Sequence, residues 1–283
     1  MTSTDIHLVC LCNNEAILKA NLLRSPDIAS GRLPLHLEWN PQSAPKGLNR
    51  GLDTTVAGLV VFVHQDVYLP AGWTDLLLTR LAEIEALDAN WALVGAFGVD
   101  MAALGWGPVW STSLGSIVGQ VCTVPVPAQS FDELLIVLRR ASGVRFDEAL
   151  PGFHLYGTDI VQSARKAGFG AWVASLPLIH NDGFHQELDA SFDAAFHYLR
   201  RKWRDRLPLK SPVSKITWHG LNLLRQHWHN RKTALLRKEF SRPRDVDPRH
   251  YAALCGWSDL TACAARQKEP PVLGSSSVAG PLA

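Results

Sequence analysis

The run Leu59 to Val63 is five uninterrupted apolar residues that stop on His64-Gln65-Asp66. So short an apolar run, followed at once by ionisable residues, fits a strand buried on both faces, and such strands belong to sheets covered by helices on each side. In open α/β sheets ligands gather at the carboxyl ends of the strands. An imidazole and a carboxylate placed there are therefore the first candidates for a site that holds a metal or a nucleotide.

The flanking pattern agrees with such a sheet. Ile6 to Leu11 reads as a strand, followed by the polar turn Asn13-Asn14-Glu15 and a helical pattern through Ile17, Leu18, Leu22 and Leu23 that ends before Pro26. Leu33 to Trp39 alternates like a second strand, Gly47 to Val56 reads as a helix, and Trp73 to Leu87 as an amphipathic helix behind Pro70-Ala71-Gly72. A strand is expected at Ala92 to Phe97, a glycine-rich loop or hairpin region from Gly98 to Gly119, and strands at Val121 to Val126 and Glu133 to Leu138. A helix running to Lys166 and closed by Gly168 precedes a strand from Trp172 to Ile179 that ends on His180-Asn181-Asp182-Gly183. Strands alternating with helices imply an α/β fold with a mostly parallel sheet.

With 283 residues, 47% hydrophobic and 19% charged, the chain has the makeup of a soluble globular protein. Its apolar runs are far below the roughly 20 residues a membrane span needs, and Met1 to Asp5 does not read as the start of a signal peptide, so a cytoplasmic protein is expected. The five cysteines are odd in number and lack paired ligand spacing, which argues against a disulfide framework or a structural zinc site. Cys10 and Cys12 are expected as buried thiols on one side of a strand.

The net charge of +2 hides an asymmetry: from Arg200 to Arg249 there are fifteen Lys or Arg against four acids. This segment reads as helical, with a break at Pro208 and Pro212 and a second helix from about Ser214 to Phe240. It is either a structural helical extension or a surface that docks on anionic membrane lipids. Trp203, Trp218 and Trp228 fit the packed faces of helices, and without a recognisable nucleic-acid motif an RNA or DNA partner is disfavoured. The expected divisions are 1–189 as the α/β domain, 190–265 as the basic extension and 266–283 as a mobile tail.

Several motifs in consistent order over about residues 6–185 resemble the family two glycosyltransferases of the GT-A fold, in particular bacterial glycosyltransferase-like families whose acidic motif begins with histidine. They are Cys12-Asn13-Asn14-Glu15, Leu48-Asn49-Arg50-Gly51, His64-Gln65-Asp66 before a proline and glycine, and Phe146-Asp147-Glu148 with Phe153-His154-Leu155-Tyr156-Gly157-Thr158-Asp159 and Ala167-Gly168. The chain departs from the pattern at three points: no arginine precedes Asn49, the first acid of the acidic motif is His64, and Thr158 stands where a Glu is usual.

The resemblance implies a nucleotide-diphosphate sugar as donor and a divalent cation, Mn or Mg, that stabilises the departing diphosphate. Asp66 would be its oxygen ligand and His180 a nitrogen ligand, which tilts the choice toward Mn. Asn13, Glu15, Asn40, Asn49, His64 and Gln65 would bind the sugar nucleotide. Trp106, Asp132 and Thr158 are candidates for contact with the acceptor, whether glycan, lipid-linked or protein. Trp106 and Trp110 read equally as ordinary packing, Asp132 with Glu133 as a solvated pair, and Asp159 as a helix N-cap. Asp159 is the expected general base, which requires the side chains of Asp66, Asp159 and His180 to converge on one cleft. The alternative is a binding protein that keeps the sugar-nucleotide fold without activity. A nucleophile elbow and a Walker loop are both missing from the sequence.

Overall fold

The computed structural model describes residues 5–184 and 187–262. The expected mobile tail and Cys263 lie outside the described residues.

The strands are β1 (Ile6–Cys12), β2 (Leu35–Trp39), β3 (Leu59–His64), β4 (Val67–Tyr68), β5 (Trp91–Gly95), β6 (Gly98–Val99), β7 (Gly105–Trp106), β8 (Val109–Ser111), β9 (Ser116–Val118), β10 (Val126–Pro127), β11 (Ser130–Phe131), β12 (Leu135–Arg139), β13 (Gly170–Val173) and β14 (Leu178–His180). Helices interleave with them: α1 (Glu15–Ala20), α2 (Pro26–Ala29), α3 (Ala44–Asp53), α4 (Trp73–Leu87) and α5 (Tyr156–Lys166). Three more follow, α6 (Ala190–Lys202), α7 (Leu221–Phe240) and α8 (Pro248–Leu254).

Among the described residues the main sheet has seven strands, in the order β10-β13-β5-β12-β3-β1-β2. Strands β1, β2, β3, β5 and β13 share one direction, while β12 and β10 run against them. This is the expected α/β architecture with a mixed, mostly parallel sheet between helices. Side chains alternate along each strand, so two cores form. Val9, Val60, Phe62, Ile136 and Leu138 face α3, α5 and α6, and Leu8, Cys10, Val61, Val63, Leu135 and Val137 face α4. Cys10 and Cys12 are buried in the second core, as expected, with sulfurs 3.5 Å apart.

Helix α3 lies close on β1 because position 51 carries no side chain: a Cβ there would sit 2.3 Å from Val9 Cγ1. Helix α6 buries Phe192, Ala195, Phe196 and Leu199 in the same core as β3 and β12, so packing continues across the 189/190 boundary expected from the sequence.

Three local expectations are corrected. The single strand expected from Trp172 to Ile179 is two, because Pro177 has no N–H to continue the ladder. Strand β13 stays in the main sheet, and β14 crosses to a second sheet of order β4-β14-β8-β9. Of the strand expected at Val121 to Val126, only Val126 is in a strand, β10. The helix expected from Ser214 begins at Leu221, since Lys215–Ile216 pairs with Leu209–Lys210 in a two-stranded ribbon first.

Candidate active site

Strands β1 and β3 end at the same edge of the sheet, and the antiparallel β12 begins there, with Leu135 opposite Val63. The turns after β1 and β3 and before β12 therefore meet. A cavity of about 550 Å³ opens at this edge, lined by Asn13, Asn40, His64, Gln65, Asp66, Glu133, His154 and Tyr156, among others.

Gln65 ties the first two turns together. Its Oε1 accepts from the backbone N–H groups of Asn13 and Asn14, both at 3.1 Å, and its Nε2 donates to Asn13 Oδ1 at 2.6 Å. Asn40, at φ 47, also lines the cavity.

The strand switch at Pro177 brings His180 to this edge. β14 pairs antiparallel with β4, placing His180 opposite Val67, and Asn181 N–H donates to Asp66 O at 2.8 Å. His180 Nε2 then stands 3.4 Å from Asp66 Oδ1, and His64 Nδ1 stands 4.0 Å from the same oxygen. The three residues present metal-ligand atoms that all lie within 4.8 Å of one another.

Hydrogen bonding orients His64. Tyr156 Oη lies between His64 Nε2, 3.0 Å away, and Glu133 O, 3.3 Å away, and with one hydrogen it meets both when it donates to the carbonyl and accepts from the ring. The tautomer with the proton on Nε2 satisfies this arrangement and leaves Nδ1, 4.0 Å from Asp66 Oδ1, as the ligand atom, which is how a metal-binding imidazole is prepared by a neighbouring group.

Burial alone would raise the Asp66 carboxyl, but His180, His64 and Arg244 hold it far below the usual carboxylate range. Burial would lower His180, but Asp66 overrides it and pushes the imidazole up to about 9. His64 is lowered, chiefly by burial. Glu133 is pushed up to about 8 by burial and by Asp132 beside it.

Arg244, which lies beyond α7, donates from Nη2 to Asp66 Oδ2 at 2.9 Å and from Nε to Asn181 O at 2.9 Å. Sequence reasoning counted Arg244 only as one of many cations. No local signal singled it out, because its partner is distant in the chain. Tyr156 was missed as a site residue, although it stood in a quoted motif, and Glu133 was weighed only with Asp132, as an acidic pair that binds acceptor or is solvated.

Asn13, Asn40, His64, Gln65 and Asp66 thus share one cavity edge with His180 beside them, and the other expected site residues do not line it. Asp159 is 1% exposed, and its carboxylate accepts from Lys202 Nζ at 2.8 Å and Trp203 Nε1 at 2.7 Å, both at the end of α6. It is not the N-cap of α5 either; that position is Leu155. The expected convergence is met by Asp66 and His180 and not by Asp159. Thr158 is buried with its hydroxyl 2.7 Å from Ser130 Oγ. Asn49 is buried and bridges the backbone of Phe146, donating to its O at 2.9 Å and accepting from its N–H at 3.1 Å.

Glu15 is exposed and pairs with Lys19 at 2.6 Å. Trp106 donates from Nε1 to Asp100 Oδ2 at 2.9 Å and packs on the core. Asp132 caps its own turn, accepting from Leu134 N–H at 3.1 Å; it is not among the residues lining the cavity, but its charge acts on His64, His180 and Glu133.

No family model matches the chain. A protein described as "ATP synthase subunits region ORF 6" from Fuscovulum blasticum is 26% identical over 168 residues, which are 58% of this chain and 62% of that protein. The match therefore spans less than two thirds of that relative. Among solved structures, the chain is similar to a mannosyltransferase from Pyrobaculum calidifontis in complex with GDP-Man and Mn2+, at 13% identity over 93% of this chain and 79% of the other, with a TM-score of 0.42. It is also similar to glucosyl-3-phosphoglycerate synthase from Mycobacterium tuberculosis in complex with Mg2+ and uridine diphosphate, at 15% identity over 69% and 78% of the two chains, with a TM-score of 0.41. Likenesses this distant concern the general course of the chain and say nothing of its chemistry.

Proposed function

We propose that the protein is a metal-dependent glycosyltransferase that moves a sugar from a nucleotide diphosphate to an acceptor hydroxyl. The observation that carries this reading is the His64, Asp66 and His180 cluster, with His64 already oriented by Tyr156, at the mouth of the cavity. Two imidazoles and one carboxylate fit a divalent transition ion better than Mg, which prefers oxygen, so Mn is the expected ion. When bound, such an ion supplies positive charge to the diphosphate as the glycosidic bond breaks. His64, Asp66 and His180 would hold it, and Arg244 adds a fixed cation next to them.

Asp159 leaves the reading without the base that the sequence singled out. Among the described residues lining the cavity the carboxylates are Asp66 and Glu133. Glu133 is fixed by accepting from Gly157 N–H at 3.1 Å, and an affinity for protons near neutral pH suits a general base. In this reading Glu133 Oε takes the acceptor hydroxyl proton, the acceptor oxygen attacks the anomeric carbon from the side opposite the diphosphate, and configuration inverts. Asn13, Asn40 and Gln65 would meet the nucleotide portion.

The test is a thermal-shift series with uridine and guanosine diphosphates, each with Mn or with a chelator, followed by donor hydrolysis. A nucleotide response that requires Mn, together with hydrolysis, supports transfer. Binding without hydrolysis or transfer to any of a panel of acceptors supports the alternative of a binding protein, a reading favoured by the Arg244 ion pair that already satisfies Asp66. Failure of every nucleotide to bind would overturn both.

A further inference from the structure

Helix α7 has 20 residues, about 30 Å at the usual rise, and it uses little of its surface for packing. Leu223 and Ala234 are its buried residues, and His227 Nε2 lies 2.7 Å from Asp193 Oδ1 on α6. These three positions fall on one stripe at helical spacing.

The exposed side carries large apolar residues as well. Leu221, Leu224, Trp228, Leu235 and Leu236 follow one another at the spacings that place them on one side of a helix. Leu224 is 67% exposed, Trp228 61% and Leu235 85%. Arg225 and Lys232 sit among them on the same face, with Lys232 Nζ 4.8 Å from the Trp228 ring centroid. Lys238 lies to one side, and Glu239 is the one acid between Leu221 and Phe240.

Aliphatic side chains exposed beside cations and a tryptophan are costly in water and gain nothing from a nucleic acid. They match a lipid surface, where leucines enter the acyl boundary, tryptophan sits at the headgroup level and basic side chains meet anionic phosphates. Among the described residues no helix is long and apolar enough to cross a membrane, so the contact would be peripheral.

We infer that the solvent face of α7, centred on Leu224, Trp228 and Leu235 with Arg225 and Lys232, docks on an anionic lipid bilayer. Arg244 follows the end of α7 after Ser241, Arg242 and Pro243 and donates to Asp66 at 2.9 Å, so three residues of chain join the docking helix to the side chain that meets the cluster. Resting on the transfer reading, this makes a lipid-linked hydroxyl the acceptor class.

The test is co-sedimentation of the full chain with vesicles of phosphatidylcholine alone and of phosphatidylcholine mixed with phosphatidylglycerol. Sedimentation is expected with the mixed vesicles and is expected to weaken as salt rises. The triple variant Leu224→Ser, Trp228→Ser, Leu235→Ser should keep its melting temperature and lose about tenfold or more in vesicle affinity, since three apolar insertions are removed. The pair Arg225→Gln, Lys232→Gln should remove most of the preference for anionic vesicles. Absence of sedimentation, equal binding by the triple variant, or a native dimer that the triple variant loses would each overturn the inference, as would retention by an oligonucleotide in place of vesicles. Vesicle binding needs neither donor nor metal, so its outcome is independent of the thermal-shift and hydrolysis results that test the cavity.

Discussion

His180 Nε2 faces Asp66 Oδ1 at 3.4 Å because β14 leaves the main sheet and pairs with β4, the two-residue strand that directly follows Asp66. The pairing satisfies backbone groups on both sides and, in doing so, closes a cluster of two imidazoles and a carboxylate. Arg244 adds a second cation, on the other Asp66 oxygen at 2.9 Å.

Asp66→Asn should abolish the Mn-dependent thermal shift. Loss of a supporting residue around a metal typically costs about 10 to 100-fold in affinity, and loss of the carboxylate ligand itself should cost at least as much. The same change leaves His180 and Arg244 without their counter-charge, so the melting temperature without metal should also fall. Isothermal titration with Mn measures the first effect, and an unchanged affinity would remove Asp66 from the metal site.

Tyr156→Phe tests the orientation of His64. The variant keeps the ring and its packing against Phe146 but removes the oxygen 3.0 Å from His64 Nε2. Mn affinity should drop by about 10-fold or more with little change in the fold. A native affinity in the variant would mean that His64 does not depend on this bond.

Glu133 gives a pH dependence whose direction follows from its environment. Burial raises its carboxyl from 4.5 to about 8 in the folded chain. Between those values the folded protein holds a proton that the unfolded chain releases, so stability falls as pH rises through this window. Melting temperatures recorded with a chelator should decline across it, and Glu133→Gln should flatten that decline. If Glu133 is also the base, the same variant loses about 10² to 10⁴ in turnover while nucleotide binding persists. An unaltered pH slope together with full turnover would remove both assignments.

Asp159→Asn separates architecture from catalysis. The Asp159 carboxylate is raised by burial and drawn back by Lys202 and Trp203, which donate to it. Lys202 retains Asp147 at 2.6 Å, so the variant should lose about 1 to 3 kcal/mol, the range for a disrupted buried hydrogen bond to a charged group. Denaturant midpoints measure this, and nucleotide affinity should stay native. Lost turnover with unchanged stability would restore Asp159 as the base and require α6 to move aside.

Local pattern alone determined much of this protein. Leu59 to Val63 reads as a buried strand because no polar residue interrupts it, and His64, Gln65 and Asp66 must then lie at a strand end. The helix Trp73–Leu87 is legible to the residue, since its apolar positions recur at helical spacing between a glycine turn and an aspartate. Asn13 and Asn40 were legible for a related reason, as polar residues where strands stop.

The tertiary structure decided which of these ends meet. Asp159 reads by sequence as a general base or a helix N-cap, yet its partners Lys202 and Trp203 come from the end of α6 and the residue after it, and α5 turns its carboxylate toward them. Glu133 reaches the cavity because β12 runs antiparallel and so begins where β3 ends. His180 and Arg244 reach Asp66 by a change of sheet and by the course of the chain after α7. Strand and helix periodicity is a property of neighbouring residues and is written in short windows. Which carboxylate faces which cation depends on non-local pairing and packing, and many compact arrangements share the same local pattern.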